Sequence, residues 1–150
     1  IDGRGLVMIG GYGTGKTHLA TAIAKYAVEE YGMSVWFRTF SDILQEIKNS
    51  FNTNVSTEEI SHRFETVDLL VIDDLGKEKA TDWGNEQLFS LLDKRYRDCL
   101  PVVITSNCDM GQLGKRVDGA IMSRLIQTCE FIEMSGRDYR KVHRGEQWRR

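Results

Sequence analysis

Hydrophobic and polar residues alternate along the chain in blocks that predict strands and helices in turn. Short apolar runs rich in Val, Ile and Leu predict strands at residues 6–9, 34–39, 69–72, 102–105 and 129–133. Longer stretches with apolar residues three or four apart predict helices at residues 15–31, 42–51, 57–67 and 85–98. Because strands that alternate with helices build a parallel sheet covered on both faces, the pattern predicts an α/β domain.

Two of the predicted helices carry further signals. The apolar residues of the first helix stand at helical spacing, at Leu19, Ile23, Ala27 and Val28. Gly32 follows this helix and is typical of a helix end. Ser56 and Glu59 have capping-box spacing at the start of the third helix. Since the second and third helices both lie between the second and third strands, we expect one long crossover that contains two helices.

Composition limits the class of protein. With 150 residues, of which 41% are hydrophobic, the chain is long enough for one domain with a sizeable core. Its three cysteines have no CxxC spacing, so we expect neither a disulfide framework nor a zinc site, and we expect the reducing cytoplasm. We expect no membrane span and no signal peptide. The chain does not begin with methionine, so we also expect a fragment of a longer protein.

Charge is informative only near the C-terminal end. The net charge of -2 gives no general sign of nucleic-acid binding. Residues 135–150 contain six Arg or Lys side chains against two acids, an excess of four positive charges. This segment is a candidate anion-binding surface, although a solvated basic end is the commoner explanation. His62 and His143 have no partners at metal-ligand spacing, so we expect no metal other than one bound with a nucleotide.

The strongest chemical motif is GGYGTGKT at residues 10–17, which fits the phosphate-binding pattern GxxxxGK[ST]. It follows a predicted strand and opens a predicted helix, as a P-loop requires. Its glycines let backbone N–H groups converge on phosphate oxygens. Lys16 would reach the β- and γ-phosphates, and the Thr17 hydroxyl would bind Mg²⁺. The predicted ATP or ADP contacts are Gly10, Gly11, Tyr12, Gly13, Thr14, Gly15, Lys16, Thr17 and His18. The alternative is an ordinary glycine-rich turn.

Two further strands end in polar side chains suited to nucleotide chemistry. Asp73 and Asp74 follow the apolar run LLVI, and in P-loop NTPases the first such acid helps to hold Mg²⁺. We predict that Asp74 orients or deprotonates the attacking water. Asn107 follows the strand at residues 102–105, which we expect to lie between the strands of the P-loop and the acids. The alternatives are a capping carboxylate at Asp74 and a turn-forming Asn107.

Together these motifs resemble one family over nearly the whole chain. The segments are GGYGTGKTHLA (10–20), LLVIDDLG (69–76), VITSN (103–107), MSRL (122–125) and DYR (138–140). They are similar to the AAA+ ATPase domain of DnaC/DnaI-type bacterial or phage replicative helicase loaders. The resemblance implies a three-layer P-loop NTPase fold of the AAA+/ASCE type. Its central parallel sheet would have five strands, with a two-helix insertion in the crossover between the second and third strands.

The resemblance also implies roles for two arginines. Arg124 matches the arginine finger, which completes the ATP site of a neighbouring subunit, so it implies self-association. Arg140 matches the second sensor, which touches the γ-phosphate in its own subunit. Guanidinium groups suit these roles because they stabilise phosphoryl charge. The alternative for each is a surface arginine. Many AAA+ proteins have glutamate where this chain has Asp74, whose shorter reach predicts slow hydrolysis.

Single-stranded DNA is the predicted nucleic-acid ligand. Aromatic side chains beside a basic or polar groove suit sequence-tolerant binding of single strands. Phe51 and Trp83 are the candidate platforms, and in the loader family Phe51, Thr81 and Trp83 match positions that contact the strand. Lys48 is a further candidate contact. The alternatives are core packing for Trp83 and a solvated charge for Lys48.

The resemblance therefore implies a Mg²⁺-dependent ATPase that helps to load a hexameric, DnaB-type replicative helicase. In this family the helicase-binding region precedes the ATPase domain, and we expect residues 1–150 to be that domain alone. An IstB-type transposition ATPase acting on duplex DNA is the nearest alternative. A P-loop small-molecule kinase and a nucleotide-gated binding module with negligible turnover are two others. The chain lacks the Arg-rich lid expected of the kinase.

Overall fold

The computed structural model describes residues 3–52 and 55–141, which form five strands and six helices. The strands are β1 (Gly5–Ile9), β2 (Val35–Thr39), β3 (Leu69–Asp73), β4 (Val102–Ser106) and β5 (Cys129–Glu133). The helices are α1 (Lys16–Tyr31), α2 (Phe40–Ser50), α3 (Thr57–Thr66), α4 (Asp82–Arg97), α5 (Met110–Arg116) and α6 (Gly119–Thr128). All predicted strands and helices are present, with ends within three residues of their predicted positions.

The five strands form one parallel sheet in the order β2-β3-β4-β1-β5. The fourth strand therefore lies between the P-loop strand and the strand of the two acids, as we predicted. In parallel strands the carboxyl ends meet at one edge of the sheet, where ligands bind in open α/β folds. This order brings the P-loop, Asp73 and Asn107 to the same edge.

Helices cover both faces of the sheet, which confirms the three-layer α/β fold. Strand residues alternate between the two faces: Met8 and Val71 pack with α1, whereas Val7 and Ile72 face the other side. On that side, apolar residues of α2, α3, α4, α5 and α6 complete the larger core. None of the helices in the described residues is long and apolar enough to cross a membrane.

The buried face of α1 agrees with the predicted one at Ala27 and Ile23 and differs from it at Leu19 and Val28. Leu19 and Val28 are 38% and 49% exposed, and the residues buried against the sheet are Ala20, Ala24 and Ala27. Because the alanine side chain is small, α1 can lie close to the strands. The packing of α1 on the sheet also helps to position the P-loop, since α1 starts there. Of the large apolar residues predicted for this face, Ile23 alone packs at the edge of the cluster.

The β2–β3 crossover contains α2 and α3, as predicted. The start of α2 is at Phe40, earlier than expected, because Thr39 and Asp42 form a capping box. The start of α3 is capped by Ser56, whose side chain accepts a hydrogen bond from the Glu59 N–H.

Two short helices after β4 had not been predicted. Two glycines weaken the helical pattern of α5, and α6 begins with a glycine, but Asp109 and Asp118 cap the first turns of these helices. Asp109 forms a capping box with Gln112, which is a signal that the sequence does contain.

A buried arginine ties the crossover to the sheet. Arg95 on α4 is 1% exposed, and its guanidinium donates to the carbonyl oxygens of Phe64 (2.9 Å), Val67 (2.8 Å) and Pro101 (2.7 Å). Burial lowers the pKa of Arg95 to about 10, so the group is charged at neutral pH. The arginine holds the end of α3 and the segments that lead into β3 and β4.

Candidate functional site

The P-loop, residues 10–17, has a backbone that requires glycine. Gly10 and Gly13 have φ values of 137° and 71°. The chain that follows β5 also packs directly on this loop. A Cβ atom at Gly10 would collide with the Met134 carbonyl oxygen, and one at Gly13 would collide with the Asp138 carboxylate. The loop is therefore held in shape by the C-terminal segment of the described chain.

The first turn of α1 points at the space enclosed by the P-loop. Gly15 is the N-cap residue, and no side chain caps the helix. The backbone N–H groups at this end, together with the helix dipole, favour a bound anion. The first helical residue is Lys16, so its side chain starts at the centre of this anion site.

The Lys16 ammonium is turned back onto the P-loop. Its Nζ atom donates to the carbonyl oxygens of Gly10 (2.8 Å) and Gly11 (2.6 Å) and to the Thr14 hydroxyl (3.2 Å). Lys16 is 5% exposed, so these three acceptors replace water around its charge. A phosphate group would be a stronger partner than these neutral oxygens.

The electrostatics of Lys16 identify its charged neighbours. Burial lowers its pKa below the usual value because the charged form loses contact with water. The carboxylates of Asp74 and Asp73 act in the opposite direction, whereas Arg140 acts in the same direction as burial. Two acids and a second cation therefore lie close enough to influence Lys16, as expected for a site that binds phosphates together with a metal ion.

Asp73 and Thr17 form an oxygen pair that fits Mg²⁺. Asp73 is buried at the end of β3, and its Oδ1 atom accepts a hydrogen bond from the Thr17 hydroxyl (2.9 Å). Mg²⁺ is commonly held by one or two protein oxygens together with substrate phosphates. Within residues 3–52 and 55–141, no cluster of three or more His, Cys, Asp or Glu side chains could hold a metal ion. The donor set therefore suits a metal ion that binds with a nucleotide.

Asp74 and Asn107 meet across the sheet edge. The Asn107 Nδ2 atom donates to Asp74 Oδ1 over 3.0 Å, although the two residues belong to separate strand ends. Asp74 has a φ of 58°, a left-handed conformation that is unfavourable for most residues and less so for aspartate. The pair can orient a water molecule, since one group accepts and the other donates hydrogen bonds.

A cleft of about 690 Å³ unites these groups. Its lining comprises Tyr12, Gly13, Thr14, Gly15, Lys16, Thr17, His18, Asp73, Asp74, Lys77, Asn107, Arg137, Tyr139 and Arg140. Lys77, Arg137 and Tyr139 were absent from the predicted site. The Tyr139 N–H donates to the Gly13 carbonyl oxygen over 3.0 Å, so this segment is anchored to the P-loop. The excess of basic residues near the C-terminal end was the sequence signal for Arg137.

Arg124 lies on α6 and does not line this cleft. Its guanidinium pairs with Asp93 at 2.5 Å and lies 5.0 Å from the centre of the Tyr96 ring and 5.9 Å from that of Phe89. Arg124 also donates to Gln127 over 3.1 Å, while its Nε atom is buried without a partner among the described residues. The arginine is therefore held within its own chain, at the contact between α4 and α6.

The predicted DNA contacts have unequal exposure. Phe51 is 62% exposed at the end of α2, as an aromatic platform requires. Trp83 is not the freely exposed platform that we expected, because it is half-buried and packs against the main core. The exposed Lys48 places its ammonium 5.1 Å from the Trp83 ring centre. The Thr81 hydroxyl caps α4 by accepting from the Gly84 N–H over 3.1 Å.

The basic C-terminal segment is described only in part. Arg137, Arg140 and Lys141 are exposed, and the first two line the cleft. The rest of the candidate anion-binding surface, residues 142–150 including His143, lies outside the described residues.

Comparison with known proteins gives a consistent group of relatives. A family model described as IstB-like ATP binding protein matches residues 2–147. The phage-like element PBSX protein XkdC of Bacillus subtilis is 33% identical over 94% of this chain and 54% of its own length. The replicative helicase loader DnaC of Escherichia coli is 32% identical over 75% of this chain and 46% of its own length. The chain spans about half the length of these curated relatives.

A solved helicase loader has a similar fold. A crystal structure of the DnaC helicase loader superimposes with a TM-score of 0.78 and 26% sequence identity, and covers 89% of this chain and 80% of that one.

Proposed function

The chain belongs to the family of IstB-like ATP-binding proteins and contains an AAA+ P-loop domain, and from this premise we propose that it is the ATPase of a replicative helicase loader. One observation carries the ATPase part of the proposal: the cleft brings Lys16, the Thr17–Asp73 pair and the Asp74–Asn107 pair to one edge of the sheet. These are the groups needed to bind a nucleoside triphosphate and to direct water at its terminal phosphate.

ATP binding uses the P-loop and the start of α1. Backbone N–H groups of residues 10–17 surround the phosphates, and Lys16 exchanges its contacts with Gly10 and Gly11 for phosphate oxygens. Thr17 and Asp73 would hold Mg²⁺, which would neutralise charge on the phosphates. The exposed ring of Tyr12 lies at the cleft wall, where it can cover the nucleotide.

Hydrolysis uses the second acid and the two sensor positions. Asp74 accepts a proton from the attacking water or orients it, and Asn107 fixes the position of the Asp74 carboxylate. Arg140 in the same cleft binds the γ-phosphate. The hydrolysis is slow, because the aspartate side chain is one methylene shorter than the glutamate that many AAA+ proteins have.

A neighbouring copy supplies the last group. Arg124 matches the arginine finger of the loader family and lies away from its own cleft. We propose that it completes the cleft of a second copy after it leaves its pair with Asp93. Turnover then depends on self-association, and the ATP state of one chain is connected to the assembly of several.

The proposed partners are single-stranded DNA and a DnaB-type hexameric helicase in the cytoplasm. Phe51 stacks on bases, and Lys48 adds positive charge nearby. Support for these partners comes from the sequence similarity to DnaC helicase loaders. The matched region spans about half the length of these curated relatives.

A transposition helper ATPase is the second candidate, favoured by the family description itself, which refers to IstB-like proteins. Such a protein would share the cleft and prefer duplex DNA. The family match supports both of these ATPases over a small-molecule kinase.

DNA binding in the presence of a non-hydrolysable ATP analogue separates the two candidates. The loader proposal predicts preference for single strands and, because base stacking contributes about 1–3 kcal/mol per base, roughly five-fold or greater loss of affinity in Phe51→Ala. Tyr26→Ala is the matched control, since Tyr26 is 58% exposed on α1 across the sheet. Preference for duplex DNA with Phe51→Ala silent would favour the transposition ATPase.

A further inference from the structure

Thr105 has a fully buried hydroxyl between the two acids that end β3. Its Oγ1 atom donates to Asp73 Oδ1 over 2.5 Å and accepts from the backbone N–H of Asp74 over 3.0 Å. Thr105 is 1% exposed, so water does not compete for these bonds. One hydroxyl therefore connects the candidate metal ligand, Asp73, with Asp74, for which we propose the role of orienting the attacking water.

The direction of both hydrogen bonds is fixed by chemistry. An ionised carboxylate can only accept, and a backbone N–H can only donate, so the Thr105 hydroxyl has one orientation that satisfies both partners. The parallel pairing of β3 with β4, in which Ile72 lies opposite Ile104, brings Thr105 beside Asp73. These two contacts account for the polar residue at position 105, which follows three apolar residues in β4 and is fully buried.

Asp74 is held in its unusual backbone conformation from two sides. Its φ of 58° is in the left-handed region, which disfavours side-chain-bearing residues. The Thr105 hydroxyl fixes its backbone N–H, and Asn107 fixes its carboxylate. Without the hydroxyl, the amide would lose its partner in a half-buried place, and the backbone could relax away from this conformation.

We propose that Thr105 is a positioning residue for both acids. It holds the Asp73 carboxylate where that group meets the Thr17 hydroxyl, and it holds Asp74 with its carboxylate aimed at Asn107. The inference rests on the proposed ATPase function, because it assigns Thr105 to the metal-binding half and the water-orienting half of the same cleft.

Two substitutions at Thr105 and one at its neighbour test this role. Thr105→Val keeps the shape and removes the hydroxyl, whereas Thr105→Ser keeps the hydroxyl. Ser106→Ala is the matched control, because Ser106 is equally buried on β4. Its Oγ atom donates to the Leu75 carbonyl oxygen (2.6 Å) and accepts from the Cys108 N–H (3.2 Å), so the removed hydrogen bonds involve neither acid. If Thr105→Val does not fold, Thr105→Ala removes the same hydroxyl from a smaller side chain.

The first measurement is binding of a fluorescent, non-hydrolysable ATP analogue across a MgCl₂ titration. Loss of a residue that orients a metal ligand typically weakens metal binding about 10- to 100-fold, so the Mg²⁺ midpoint of Thr105→Val should rise by that factor. Its Mg²⁺-free binding of the analogue should stay within about two-fold, because the P-loop is untouched. Thr105→Ser and Ser106→Ala should keep the wild-type midpoint.

The second measurement needs neither nucleotide nor metal. Hydrogen exchange of the Asp74 amide, followed by NMR, should be roughly ten-fold faster or more in Thr105→Val and unchanged in Thr105→Ser and Ser106→Ala. A wild-type Mg²⁺ midpoint and wild-type exchange in Thr105→Val would overturn the inference. If the wild-type protein binds the analogue without any Mg²⁺ dependence, the ATPase proposal is overturned. Faster exchange of the Asp74 amide in Thr105→Val would still support the positioning of Asp74 in that case.

Discussion

Replacing Asp74 by asparagine removes a negative charge and leaves almost everything else in place. Asparagine has nearly the same shape, tolerates the left-handed conformation that Asp74 adopts at a φ of 58°, and retains an oxygen that can accept from Asn107. The backbone N–H can still donate to Thr105. The substitution is therefore a specific test of the carboxylate as the group that activates water.

The expected loss can be estimated from the role assigned to the carboxylate. General-base assistance contributes about 10² to 10⁴ in rate, so Asp74→Asn should lower single-turnover ATP hydrolysis by that factor, or about 3–5 kcal/mol in activation free energy. ATP binding should persist and should not weaken, since the lost charge would have repelled phosphates. The free energy of unfolding should change by less than about 1 kcal/mol, because the hydrogen bonds remain.

Radiolabelled ATP with excess protein measures the chemical step directly. Asp74→Glu should keep or raise the rate because its longer side chain reaches further, and Glu78→Gln is the control, since it removes an exposed acid from the same loop. Hydrolysis at the normal rate by Asp74→Asn would remove Asp74 from the catalytic residues.

Two further predictions concern residues that hold the fold. Arg95→Met keeps side-chain volume but deprives five carbonyl oxygens of a charged donor, so it should lower the free energy of unfolding by about 3–4 kcal/mol. Arg97→Met, which changes an exposed neighbour on α4, should cost less than about 0.5 kcal/mol in the same urea titration. An equal cost for the two would refute the role given to Arg95. Trp83→Ala should lower the free energy of unfolding by about 2–4 kcal/mol, because Trp83 packs against the core. Phe51→Ala should change this free energy little, because Phe51 is exposed. Equal melting temperatures of the two variants would contradict the packing of Trp83.

Local motifs made the core of the site predictable. The P-loop is continuous in sequence, so its glycines, Lys16 and Thr17 could be identified together. Asp73 and Asn107 follow strands whose order in the sheet the P-loop fold implies, and this order is confirmed. The proximity of these groups therefore followed from topology, without knowledge of any side-chain contact.

Contacts between distant segments were not predictable in the same way. The bond from Thr105 to Asp73, the bond from Arg95 to the Phe64 carbonyl oxygen and the pair of Arg124 with Asp93 each join residues about 30 positions apart. No periodic pattern signals such contacts, because each depends on how neighbouring elements pack. Of the alanine face of α1, Ala20 and Ala24 were missed for a related reason, since helical spacing favours large apolar residues and the sheet here selects small ones.

We propose that ATP is hydrolysed in the cleft that contains Lys16 and that a second copy of the chain supplies Arg124. Mixing two inactive variants tests this claim most directly. Lys16→Ala has a defective cleft and an intact Arg124, whereas Arg124→Ala has the opposite defect. Each alone should hydrolyse ATP at least about 10³-fold more slowly than wild type, and an equimolar mixture at a concentration that supports self-association should recover a substantial part of the rate. A mixture no more active than its components, or an Arg124→Ala variant with the wild-type rate, would contradict the claim.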